Sequence, residues 1–535
     1  INSLKGYFLR NLNKEKLKGV RVYDMFTSVN GAAGVKFVDK INRQTSAGEP
    51  WNKVKRAFMT PLPARGGLMD PVQLDDEIVN RCKMMINEYE SGTMCHPIFG
   101  SQLKDEPRGE NKIANHLTRV FLSGPIDFTV VTRMYYLSLI KLIQENRFLF
   151  MSAPGTNTHS SEWGEFVDFL GIFGLARIIA GDFKKFDKKM WARLIVEAFD
   201  ILIEIARASG NYTEKELIVM KAIGYDIAFP MINMNGDLMQ FFGGNPSGHP
   251  LTVIINCLVN IIMIMYCYRI LNPMCEVESF FLNVRLMTYG DDNIMGVSDE
   301  CPWFTHTTIA AAFKEIGIDY TMPDKTSESV PYIHLRDATF LKRRWRYCSE
   351  LALYFGPLEH ESIEKMLMVW VASSTICKEQ QAIEIIKAAL SEYFYYGKEI
   401  FEEKTELMKK MVLDLDLESY TDETTFLTWE QLKDRFWENS PNKGYLEFHS
   451  QNPRALSLDN YCPPLQSGLL EDGSVDLEML HLLERSSESL FREPLVNAEL
   501  RPQGVSGLSL PNSLANIQLA QQGPRDDSGL VARAR

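Results

Sequence analysis

Along residues 1–400, stretches whose apolar side chains recur at helical spacing alternate with short β-branched runs, without a long low-complexity break or an internal repeat. A β-branched run ends at Asp182, and an apolar pattern at helical spacing follows from about Met190 to Ala208, where Gly210 predicts a stop. The most apolar stretch, Leu251 to Tyr266, is shorter than a membrane span and carries Asn256 and Asn260, so it predicts a buried helix. Between Val284 and Val297 two strand-like runs flank Gly290-Asp291-Asp292, the pattern of a β-hairpin with acids at its tip. Ile309, Ala312, Phe313 and Ile316 form one face of a predicted helix that Gly317 can end. Ala382, Ile385, Ile386, Ala389, Leu390 and Tyr393 predict a helix-rich region after about residue 360, and a last helix is expected around Trp429 to Trp437. Beyond about residue 441 Pro, Ser, Gly, Asn and Gln become frequent and aromatics scarce. Residues 441–535 therefore read as linker or disordered chain, with one short helix near Glu478–Leu490.

The length, 535 residues, exceeds one ordinary domain. A net charge of −12 at first argues against a polyanionic partner. The charge is uneven, however: residues 411–535 hold 20 acidic and 10 basic side chains, which leaves residues 1–410 at only −2. That balance is compatible with a locally basic channel. Nine cysteines without a CxxC pair or a Cys/His zinc spacing imply free thiols in a reducing compartment. No signal peptide opens the chain, and a first residue of Ile1 rather than Met implies a piece of a longer protein.

Three segments carry candidate chemistry. Asp182 ends a predicted strand and Asp187 lies in the turn beyond; alone they read as two solvated turn carboxylates. Gly243 to Thr252 is a Gly/Pro-rich loop leading into the apolar helix of Asn256. It can bring backbone close to a ligand, or be an ordinary loop before a core helix whose Asn256 and Asn260 satisfy each other. The third is the Asp291-Asp292 hairpin, which alone could be an exposed turn. Combined, they say more. Two carboxylates about 4 Å apart repel by about 4 kcal/mol at an effective dielectric of about 20. A pocket collecting Asp182, Asp291 and Asp292 therefore stays ionised only beside cations. Oxygen ligands without His or Cys suit Mg²⁺ or Mn²⁺ rather than zinc. Two such ions roughly 3.5–4 Å apart can clamp the attacking and leaving oxygens of a phosphoryl transfer.

In this order the segments resemble the palm motifs of RNA-dependent RNA polymerases from picorna-like positive-strand RNA viruses. The match rests on the strand-end Asp182, on Ser247, Gly248, Thr252 and Asn256 at their spacing, and on Tyr289-Gly290-Asp291-Asp292. Upstream, Thr45-Ser46-Ala47-Gly48-Glu49-Pro50-Trp51 resembles the loop that guides the template. Lys104-Asp105-Glu106-Pro107-Arg108, with Lys112 and Arg119, resembles the basic fingers segment over the incoming nucleotide. Downstream, Asp319 to Lys325 resembles the segment whose lysine protonates departing pyrophosphate, and Phe340-Leu341-Lys342-Arg343 the hairpin that grips the primer. Seven segments in the family's order cover about residues 43–350.

The resemblance implies an α+β, right-hand polymerase fold with an antiparallel palm sheet flanked by helices. Its parts would be fingers over 1–170 (N-terminally incomplete, since the template loop comes early), palm over 171–355 with a fingers insertion around 205–240, helical thumb over 356–440, and a polyprotein extension over 441–535. Asp182, Asp291 and Asp292 would bind two Mg²⁺ or Mn²⁺ ions, with Lys325 as general acid. Lys104, Lys112, Arg119, Asp187, Ser247, Thr252 and Asn256 would bind nucleotide; Thr45, Ser46, Gly48, Gly248, Lys342 and Arg343 would contact template and primer. Implied partners are RNA template and primer, ribonucleoside triphosphates, a small genome-linked protein primer, and a replication complex at host membranes in the cytoplasm.

Departures from the mammalian picornavirus pattern are His249-Pro250-Leu251, where small residues are common, and Pro107. They lean towards dicistrovirus-, marnavirus- or iflavirus-like relatives. Gln466-Ser467, Gln503-Gly504 and Gln522-Gly523 look like junctions cut by picorna-like cysteine proteases, or are plain linker. A reverse transcriptase, which usually places a bulky aromatic where Asp187 stands, is the enzyme alternative; a non-catalytic RNA-binding scaffold is the other. A helicase is disfavoured because no G-x4-GK[ST] phosphate loop occurs.

Overall fold

The β-branched run ending at Asp182 forms β1 (Ile178–Phe183), and the runs around Gly290 form β2 (Val284–Tyr289) and β3 (Asp292–Val297). With β4 (Tyr320–Thr321) they make an antiparallel sheet in the order β4-β1-β3-β2. This computed structural model describes residues 1–373 and 375–441. The segment 442–535, with its expected helix near Glu478–Leu490, its three Gln-containing dipeptides and Cys462, lies outside the described residues.

Every residue of β1 is buried, so the strand reads as one apolar run rather than an alternation. The alternation is present in space instead. Ile179, Phe183, Leu286 and Met295 point into one core, while Ile178, Ala180, Met287 and Ile294 point into another with Trp163, Phe166 and Trp345. In register, Gly181 faces Asn293 and Tyr289 faces Asp292, which brings the end of β1 and the hairpin tip to one edge of the sheet.

Helices α1 (Ala192–Ser209), α2 (Thr252–Leu271) and α3 (His306–Glu315) cover the first of these cores. Gly210 ends α1 in the left-handed region, as its position predicted. Helix α2 is longer than the apolar run announced, because Cys267, Tyr268, Ile270 and Leu271 continue it. By length and composition it is apolar enough to cross a membrane, but 78% of its most apolar window is buried inside the protein. It is apolar all round because it is surrounded.

Residues 231–240 leave this region: Met231–Met234 pairs in parallel with Ile98–Leu103, in a second sheet with Val120–Ser123 and Asp237–Gln240. The helices Lys378–Tyr393, Lys398–Asp414 and Trp429–Asn439 enclose a separate core of Ile383, Ile386, Leu390, Phe401, Met408 and Phe436.

Candidate active site

Asp182 is the fifth residue of β1, and the β2–β3 hairpin carries Asp291 at its tip and Asp292 at the start of β3. One carboxylate oxygen from each of the three lies within 4.8 Å of the others. Loss of solvent, then the charge of Asp182, pushes the Asp291 carboxyl above its usual range. Loss of solvent, then the charges of Asp291 and Asp182, lifts Asp292 to about 7. Lys325 answers part of this charge. Its Nζ lies 2.8 Å from Asp182 Oδ2, and although burial works against it, that hydrogen bond and the three nearby carboxylates hold the ammonium above its ordinary pKa. An oxygen-only donor set that cannot comfortably ionise unaided fits hard divalent cations.

Helix α2 sets both sides of the site. Asn260 Nδ2 donates to the carbonyls of Gly290 (3.0 Å), Asp291 (3.3 Å) and Asp292 (3.4 Å), and the Gly290 N–H donates to Cys257 Sγ at 3.3 Å. The hairpin tip, where Gly290 takes φ +64, is thus tied to the helix. One turn earlier, Asn256 Nδ2 donates to Asp187 Oδ1 at 2.7 Å. Asn256 and Asn260 do not satisfy each other; each reaches a different part of the site. Asp187 sits in the short helix Phe186–Lys189 rather than in an open turn.

Ser247 and Thr252 do not join Asp187. Ser247 Oγ accepts from the Leu122 N–H at 2.8 Å, and Thr252 Oγ1 donates to the carbonyls of Pro246 and His249, both at 2.9 Å. Around Gly248 three backbones touch. A Cβ on Gly248 would lie 2.1 Å from Leu122 O, one on Gly124 2.5 Å from Gly248 O, and one on Gly48 2.7 Å from Gly124 O. This close approach joins the loop of Thr45, Ser46 and Gly48 to the Ser247-Gly248 loop. Lys55 braces the first loop, donating to Thr45 Oγ1 (2.7 Å) and Ser46 O (2.6 Å), and burial lowers its ammonium to about 8.

Basic residues between Lys104 and Arg119 gather on one acid. Lys104 (3.4 Å), Arg108 (3.2 Å) and Arg119 (Nε at 2.6 Å) all reach Glu106, whose carboxyl falls to about 2, Arg119 being the main cause. The Arg119 guanidinium is in turn raised by Glu106 first and also by the charge of Asp291, which puts it in electrostatic reach of the carboxylate cluster. Lys112 is exposed on the helix Glu110–Ala114. Lys342 is exposed, but Arg343 is not: it makes a buried bidentate pair with Glu392 (2.8 and 2.7 Å) and donates to Gly356 O at 2.7 Å. Its guanidinium is turned inward, away from any strand running over the surface.

The model of the family described as "Viral RNA-dependent RNA polymerase" matches residues 9–412. The chain belongs to this polymerase family. The polymerase is 31% identical over 414 residues to the replicase polyprotein of Drosophila C virus (strain EB), covering 74% of this chain and 23% of that one. It is 29% identical over 377 residues to the replicase polyprotein of Acute bee paralysis virus (strain Rothamsted), covering 68% and 19%. With the genome polyprotein of Deformed wing virus it shares 27% over 435 residues, covering 78% and 14%. The polymerase thus spans less than a quarter of the length of these relatives. Among solved structures it is similar to the Sicinivirus 3Dpol RNA dependent RNA polymerase, with a TM-score of 0.65 at 20% identity, covering 81% of this chain and 83% of that one. The α+β right-hand polymerase fold is shared with it.

Several residues of the candidate site carry no motif in the sequence. Asn260 and Cys257 were visible only as core-helix positions, and Gly124 carries no motif at all. Asn245 sits in the Gly/Pro-rich loop and was passed over, although its side chain is 5% exposed and hydrogen-bonded to Asn256. A polar residue in an otherwise Gly/Pro loop beside an apolar helix was the available signal.

Proposed function

We propose that the chain copies RNA from an RNA template, adding ribonucleotides to a primer 3′ end to replicate a viral genome in the host cytoplasm. The observation that carries this reading is the meeting of Asp182, Asp291 and Asp292 within 4.8 Å, beside Lys325 and one turn along α2 from the Asn256–Asp187 pair. Asp182 and Asp291, assisted by Asp292, would hold two Mg²⁺ or Mn²⁺ ions. Such ions, when bound, make a hydroxyl more acidic and offset charge on a triphosphate.

The chain's own residues supply the rest. The primer 3′-hydroxyl loses its proton to solvent as its oxygen bonds to the α-phosphorus, the bond from that phosphorus to the α–β bridging oxygen breaks, and Lys325 gives its proton to the departing pyrophosphate. Arg119, Lys104 and Lys112 exchange Glu106 or solvent for phosphate oxygens and offset their charge. Asp187, held by Asn256, accepts a hydrogen bond from the ribose 2′-hydroxyl; a deoxynucleotide leaves that buried acceptor without its donor. Thr45, Ser46, Gly48 and Gly248 shape the template path with Ser247 and Thr252 bracing the loop, and Lys342 lies along the primer. Arg343 holds that hairpin in place rather than touching RNA. Outside the chain, a small genome-linked protein primer and a membrane-bound replication complex are the partners this reading calls for.

Primer extension on an RNA template with ribonucleotides and Mg²⁺ tests it, run with deoxynucleotides in parallel. The wild-type chain is expected to extend with ribonucleotides, and Asp291→Asn to fall to background. Preferential use of deoxynucleotides would make this a reverse transcriptase. RNA binding without extension would make it a scaffold, and full activity in Asp291→Asn would remove the carboxylate cluster from the chemistry.

A further inference from the structure

We infer that Asn245 and His249 are positioning residues for ribose selection, forming a one-way chain of hydrogen bonds that turns the Asn256 amide towards Asp187. This rests on the reading of Asp187 as the acid that senses the 2′-hydroxyl.

The chain of bonds can be followed atom by atom. The backbone N–H of Leu251 donates to His249 Nδ1 at 3.3 Å, and His249 Nε2 lies 2.8 Å from Asn245 Oδ1. Asn245 Nδ2 donates to Asn256 Oδ1 at 2.7 Å and to Thr252 O at 3.1 Å. Asn256 Nδ2 then donates to Asp187 Oδ1 at 2.7 Å.

Both ends are of fixed polarity: a backbone N–H can only donate, and a carboxylate can only accept. Each side chain between them must therefore accept on the Leu251 side and donate on the Asp187 side. His249 must carry its proton on Nε2, and each asparagine amide has a single allowed orientation. Reversing any one link would set two donors or two acceptors face to face inside the protein, where Asn245, His249 and Asn256 are all under 8% exposed. Burial pushes the His249 imidazole down to about 3, so it stays in the neutral form that the chain requires.

A second tether runs beside the first, since the Asn245 backbone N–H donates to Asp187 O at 3.1 Å. Asn245 thus fixes Asp187 at its main chain and, through Asn256, at its carboxylate. His249 thus fills the loop with a side chain able to set amide polarity.

The test compares ribonucleotide with deoxynucleotide kcat/KM in primer extension for wild type, Asp187→Ala, His249→Leu, His249→Gln and Asn245→Asp. Asn245→Asp keeps the acceptor for His249 and nearly the same shape, but presents an oxygen to Asn256 Oδ1 and so should turn that amide away from Asp187. His249→Leu and Asn245→Asp are each expected to lower the ribo/deoxy ratio about tenfold, mainly by admitting deoxynucleotides, a change equivalent to losing one hydrogen bond. His249→Gln, which keeps an N–H donor, is expected to restore most of the ratio.

If Asp187→Ala lowers the ratio but His249→Leu and Asn245→Asp do not, the positioning role is wrong while the reading of Asp187 stands. An equal loss with both kinds of nucleotide would reduce the chain of bonds to ordinary packing and overturn the inference. No change in Asp187→Ala would remove the reading on which it rests. Should His249→Leu fail to fold, Asn245→Asp carries the comparison alone.

Discussion

Lys325 takes φ +64, uncommon for a long side chain, and from there its ammonium reaches Asp182. If it protonates the leaving group, Lys325→Leu should slow single-turnover extension about 100-fold, the usual share of a positioned general acid, and flatten the dependence of rate on pH. A slower rate with the wild-type pH profile would leave Lys325 only as the structural partner of Asp182. At this scale the sequence was legible wherever chemistry imposes spacing, as with Asp182 and the Asp291-Asp292 tip. It was silent on which local partners a side chain would take. Ser247 and Thr252 bond to backbone carbonyls and amides close at hand, the habit of hydroxyls in loops. The burial of Arg343 left no sign in its own segment because its acid partner, Glu392, lies 49 residues away.

Among the elements, α2 works as a ruler: Asn256 and Asn260, four residues apart on one face, hold Asp187 and the hairpin tip at a set separation. The apolar character of the helix was plain in the sequence, but which polar group each asparagine served was not, since both partners come from distant segments. Asn260→Leu removes the only amide shared by the Gly290, Asp291 and Asp292 carbonyls among the described hydrogen bonds. It is expected to raise the Mg²⁺ concentration for half-maximal extension by about tenfold, the usual scale for a residue that orients metal ligands. An unchanged Mg²⁺ requirement would show that the hairpin holds its shape without the helix. Strand β1 was harder to read, because burial on both faces erases the alternation that marks a strand.

For the molecule as a whole, acid should act through His249. Its folded-state pKa, about 3, lies below the ordinary histidine value of 6.5, so unfolding lets it take up a proton. The stability this group contributes is complete above pH 6.5 and is lost as pH falls towards 3, at about 1.4 kcal/mol per pH unit. Urea unfolding between pH 7.5 and 5 should therefore show a steeper decline for wild type than for His249→Leu; parallel slopes would contradict it. At this scale the helix-rich region after about residue 360 was legible in the order of patterns along the chain, but the crossing of residues 231–240 to the strand Ile98–Leu103 left no local mark. The Arg343–Glu392 pair then has a mechanical meaning. Phe340 and Trp345, on either side of Arg343, pack in the core beneath the sheet of β1, β2 and β3, and Glu392 belongs to the helical core, so the pair is a rivet between them. Removing either partner would leave the other charge buried and unpaired, at a cost of about 3–5 kcal/mol. If the chain moves along a template one nucleotide at a time, as proposed, its give must lie in other seams.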